Sequence, residues 1–131
     1  MATHTLPPSL DDVAALARAA WAALPEQFRS LAGDVVFRIE DFADDDMLAE
    51  LGIEDGFELT GLYQGVDLTS RSSADPAPET PLVFLYRLPL LDEWIERGDI
   101  ALADLVAHVL VHEIGHHFGF SDDQMDQLLE S

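Results

Sequence analysis

Apolar residues recur every three or four positions from Leu10 to Leu24, where Leu10, Val13, Ala14, Ala17, Ala20, Trp21 and Leu24 share one helical stripe. Ser9 and Asp12 stand at the spacing of a capping box ahead of it, and Pro25 ends the helix or begins a new turn. At Val35–Glu40 (VVFRIE) the pattern becomes β-branched and partly alternating, which predicts a strand. Asp44–Leu51 predicts a short acidic helix stopped by Gly52. Glu58–Tyr63 and Val66–Thr69 predict a hairpin turning at Gln64-Gly65, with Gly61 as a bulge. Leu82–Leu88 (LVFLYRL) is apolar enough for a well-buried strand. Helices follow at Leu90–Arg97, closed by Gly98, at Ile100–Phe118, which holds no proline, and at Asp122–Leu129.

Between the strands lies the one low-complexity stretch, Ser70–Pro81 (SRSSADPAPETP), which reads as a mobile loop or an inserted lid. It is no domain linker, because neither flank could stand alone. No internal repeat is present. Strands in the middle and helices at both ends predict an α+β fold with a small, antiparallel or mixed sheet, in one domain over residues 1–131.

Composition narrows the function. Hydrophobic content of 48% argues for a folded core despite a net charge of -20. All six basic residues are arginine, set against 26 acids, so nucleic-acid phosphates are repelled. The same field suits cations or a basic protein partner, although the charge is too spread along the sequence to place a patch. With no cysteine, a metal must be held by histidine and carboxylate. The first residues show no basic segment followed by an apolar run, and no stretch reaches membrane-spanning length. A cytoplasmic protein without membrane partners is the resulting expectation.

The densest chemistry is His112-Glu113-Ile114-Gly115-His116-His117-Phe118-Gly119-Phe120-Ser121-Asp122, which spells H-E-x-x-H-x-x-G-x-x-D. On a helix, positions i and i+4 share a face, so His112 and His116 can aim both imidazoles at one ion. Glu113, about 100° round the helix, can hold a metal-bound water as general base without ligating. Gly119 can end the helix in the left-handed conformation and return Asp122 as third ligand, leaving the fourth tetrahedral position open. Ser121-Asp122-Asp123-Gln124 also reads as a capped helix start, and Asp123, another acid or water are the alternatives to Asp122. Zinc is the expected cofactor; Fe, Mn, Co and Ni accept the same ligands.

Supporting roles fall to the neighbours. His108, one turn before His112, reads as a supporting or core histidine, and His117 as facing solvent or the cleft. Gly115 suggests close packing of another backbone. Tyr63 and Tyr86, the only tyrosines, are candidates to donate to a tetrahedral oxyanion, with Arg71 and Arg87 weaker ones. Met125 reads as core.

HEIGHHFGFSDDQM, together with LTGLYQGVDL and LVFLYRLPLL, resembles a family of small bacterial zinc-metallopeptidase-like proteins described as minimal zincins. The resemblance runs from about Leu24 to Leu129. It implies a compact metallopeptidase-like fold reduced to the active-site helix, a small sheet and a few supporting helices. The family's motif falls on His112, Glu113, His116, Gly119 and Asp122 without departure.

Two functions follow as expectations. One is a zinc-dependent peptidase acting on a peptide or protein, with Glu113 as the base and the Ser70–Pro81 loop as a gate. The other is a non-catalytic module in which the metal ties the helix end to the Asp122 turn and the acidic surface recruits a basic partner.

Overall fold

The computed structural model describes residues 6–65, 80–119 and 123. Among the described residues, five helices and three strands follow one another in the order α1 (Leu10–Ala23), α2 (Glu26–Leu31), β1 (Val36–Glu40), α3 (Asp45–Leu51), β2 (Gly61–Gln64), β3 (Leu82–Tyr86), α4 (Arg87–Arg97) and α5 (Leu102–His117). A single 3-10 turn, Gly56–Glu58, precedes β2. The fold is α+β, and its sheet is mixed.

Strand β3 is central. β1 runs parallel to it with Val36 opposite Leu82 and Glu40 opposite Tyr86, and β2 runs antiparallel on the other side with Gly61 opposite Leu85. A central strand loses both edges to neighbours, which is why its sequence is apolar almost throughout and why Val83 and Leu85 are fully buried. α5 supplies Leu105, Val106, Val109, Leu110 and Ile114 to the core, and α1 adds Val13 and Ala17. Trp21 meets Phe37 edge to face at 5.4 Å, joining α1 to β1.

Local chemistry sets the ends of the elements. The Ser9 hydroxyl accepts from the Asp12 N–H (3.1 Å) while the Asp12 carboxylate accepts from the Ser9 N–H (2.8 Å), a complete capping box. Gly52 and Gly98 take φ of 71° and 73° to close α3 and α4.

Several boundaries differ from the sequence expectation. α4 starts at Arg87 instead of Leu90, because Pro89 falls at its third position, where an N–H has no partner within the helix. Of the two readings of Pro25 the second holds: α1 ends at Ala23, and Pro25 stands at the N-cap position of the separate short helix α2. The strand expected over Glu58–Tyr63 is confined to Gly61–Gln64, the preceding residues being taken up by the 3-10 turn.

Gly61 is paired in register and is not a bulge. A Cβ there would lie 2.7 Å from Val109 Cγ1 and 3.1 Å from the Phe84 carbonyl oxygen, so glycine is what lets β2 lie against α5. The expected strand Val66–Thr69, residues 70–79 of the loop, and the expected helix Asp122–Leu129 apart from Asp123, Met125 included, lie outside the described residues. No helix among the described residues is long and apolar enough to cross a membrane.

Candidate metal centre

α5 carries its apolar residues into the core and leaves its last two turns facing the edge of the sheet. His112 and His116 project there one turn apart, with ring centroids 5.0 Å apart and planes at 85°. One ligand atom from each of His112, Glu113 and His116 lies within 4.8 Å of the others. Two imidazoles within reach of one ion, with a carboxylate beside them and no thiolate, suit zinc or a similar divalent ion, so the residues fit a metal held by His112 and His116 with Glu113 next to it. Gly119 takes φ 74° and stops the chain from continuing along the helix axis, as the motif requires. Asp122, the expected third ligand, lies outside the described residues; Asp123 is described and exposed.

Glu113 is more enclosed than His116, with 12% of its side chain exposed against 43%. β2 presses on it: a Cβ on Gly61 would come within 3.3 Å of Glu113 Cγ. Burial therefore raises the Glu113 pKa above the ordinary carboxylate value. His116 (4.0 Å away), His112 and the donated backbone N–H of Tyr63 oppose the rise. A carboxylate held this way is a stronger base than one in water.

Two hollows meet at Glu113. One, of about 310 Å³, is lined by Leu62, Tyr63, Gly65, Glu113 and His116. The other, of about 210 Å³, is lined by Thr60, Glu93, Arg97, His108, Val109, His112 and Glu113. The cleft thus runs along α5, with β2 forming one wall and Glu113 standing between the two halves. Arg97, at the second half, is paired with Glu93 at 3.2 Å.

The two neighbouring histidines depart from expectation. His117 faces neither solvent nor cleft: it is fully buried, and its Nδ1 shares a 2.8 Å hydrogen bond with the Tyr63 hydroxyl. Its Nε2 lies 3.7 Å from an Asp34 carboxylate oxygen. The 100° offset from His116 turns it toward β2 and the body of the protein. His108, expected to be supporting or core, is exposed and lines the second hollow.

The tyrosines separate. Tyr63 is half-buried, lines the cleft beside Glu113 and His116, and reaches His117 behind it. Gly65 covers its hydroxyl without a side chain; a Cβ there would sit 2.7 Å from the oxygen. Tyr86 lies in the core, stacked on Phe84 at 5.9 Å. Its pKa is pushed up to about 12 by burial and then by the negative charges of Glu40, Asp44 and Glu113. Arg87 is committed to structure, donating to the Pro8 carbonyl (2.6 Å) and to Asp41 (3.0 Å). Arg71 lies outside the described residues. Gly115 is buried in the helix.

The Tyr63–His117 link was not foreseen; its one trace in the sequence is the His116-His117 doublet, whose two rings must leave the helix in different directions.

A family model described as zincin-like metallopeptidase matches residues 32–130, which includes the sheet, α5 and the whole histidine motif. No curated protein matches the chain.

Proposed function

Because the chain belongs to the zincin-like metallopeptidase family, we propose that it hydrolyses peptide bonds at the cleft along α5. The observation that carries this reading is the convergence of His112, Glu113 and His116 within 4.8 Å at the floor of that cleft. His112 and His116 would hold zinc, with Asp122 as the third ligand. Bound there, zinc would supply Lewis acidity, polarising a carbonyl and acidifying water.

The remaining work belongs to the chain. Glu113 accepts a proton from the attacking water and passes it to the departing amine. Its enclosure by β2 raises its proton affinity above that of a free carboxylate, which favours the first transfer, and the Tyr63 N–H keeps the carboxylate oriented. β2 is an edge strand of the described sheet, so an extended peptide can pair along it and bring a carbonyl over Glu113. Of the two tyrosines only Tyr63 lines the cleft, and because its hydroxyl is bonded to His117 behind the cleft, donating to the oxyanion would require it to leave that bond.

The test is a peptide-library digest by zinc-loaded protein and by Glu113→Gln. The variant is expected to keep its metal and lose turnover by a factor of about a hundred or more. Full activity in the variant would remove Glu113 as the base.

A further inference from the structure

The segment between β1 and β2 holds an apolar face that the described residues cover only in part. α3 buries none of its residues, although it contains Met47, Leu48 and Leu51. A helix of seven residues gains little stability by itself, and helices of this length ordinarily depend on packing an apolar side. Here the helix is held by the Asp44 cap on the Met47 N–H, by Gly52, and by a contact from Gln64 Nε2 to Met47 Sδ at 3.6 Å. Beside it Phe42 and Phe57 meet edge to face at 4.9 Å while remaining 36% and 46% exposed; Leu51 is 45% exposed. Gly56 lies under Leu48 and Phe42, so these side chains form one surface.

The charge around this face identifies its occupant. Residues 40–58 (EDFADDDMLAELGIEDGFE) carry nine carboxylates and no Arg, Lys or His. Asp41 is tied to Arg87 and Asp44 and Asp55 cap backbone N–H groups; the other acids point to a charged partner. Nucleic acid and anionic membranes are repelled. A second copy is equally unsuitable, because it would bring a net charge of -20 and only six arginines of its own. What complements exposed aromatic rings in a dense carboxylate field is a lysine- or arginine-rich polypeptide segment with apolar anchors.

The geometry points to the face of Phe42, Leu51 and Phe57 as a docking site for such a basic, apolar-anchored segment. It lies beside the cleft: Phe57 is three residues from Thr60, a cleft-lining residue, which limits their separation to about 11 Å. A bound segment can therefore continue toward Glu113. The docking itself does not depend on the metal or on catalysis.

The test uses the full chain and a synthetic amphipathic lysine-leucine peptide, with oligolysine of equal charge as the comparison, both followed by calorimetry. The lysine-leucine peptide is expected to bind more tightly than oligolysine, and Phe57→Ser or Leu51→Ser to weaken it about tenfold. Both substituted residues are exposed, and melting temperature checks their folding. Asp11→Asn with Asp104→Asn, which removes two exposed charges elsewhere, is expected to change the affinity less than twofold. Absence of binding would overturn the proposal. So would equal affinity for the two peptides, or wild-type affinity in both serine variants, since either would mean charge attraction alone. Sedimentation showing a dimer that Phe57→Ser dissolves would assign the face to a second copy instead.

Discussion

Glu113 and Tyr86 show how burial tunes single groups in this protein. Glu113 has its folded pKa raised, so its protonated form stabilises the metal-free fold below the unfolded value of about 4.3. That contribution is lost as pH rises through the folded pKa. Metal-free Glu113→Gln should therefore melt above the parent at neutral pH and close to it at about pH 4, as thermal scans at the two pH values would show. Tyr86 is also raised, to about 12. Its neutral form contributes stability fully below the unfolded value of about 10, and the contribution is lost as pH rises through about 12. An ultraviolet phenolate titration should show one tyrosine ionising near 12, absent in Tyr86→Phe. At this scale the motif was legible in the sequence because i, i+4 spacing fixes which side chains share a face. The burial of His117 was not, since periodicity gives an angle and says nothing about which element lies at that angle.

The pairing of β2 with α5 is the element on which the site depends. Gly61 leaves room for Val109 and Glu113, Tyr63 gives its N–H to Glu113, and its hydroxyl meets His117. Gly61→Ala would force a Cβ into a side chain at 2.7 Å and a backbone carbonyl at 3.1 Å, and the backbone cannot yield cheaply. The expected cost is about 1–3 kcal/mol, together with a displaced Glu113, read as a lowered melting temperature and weaker zinc affinity. The sequence suggested a bulge at this glycine because a glycine within a strand pattern marks either a bulge or a close approach, and only the position of α5 distinguishes them. The same reasoning applies to α4: Pro89 looks like a boundary in sequence but is tolerated in the first turn, while the Leu88 N–H finds the Asp41 carbonyl at 3.2 Å. The capping box of α1 and the glycine stops of α3 and α4 were legible because each depends on neighbours in sequence alone.

For the whole molecule, the family match begins at residue 32, so α1 and α2 lie outside it, yet Val13 and Ala17 of α1 are part of the core that supports α5. The helix bearing the histidines is thus braced by α1 as well as by β2. The chain carries a net charge of -20, and nine of its 26 acids lie in residues 40–58, the segment that bears the exposed side chains of Phe42, Leu51 and Phe57. Whether His112 and His116 hold a metal beside Glu113 can be read by elemental analysis of protein purified without chelator, with His116→Ala alongside. About one zinc per chain is expected in the parent, and its loss in the variant. No metal in either protein, and none taken up when zinc is added, would overturn the assignment of these two histidines as ligands.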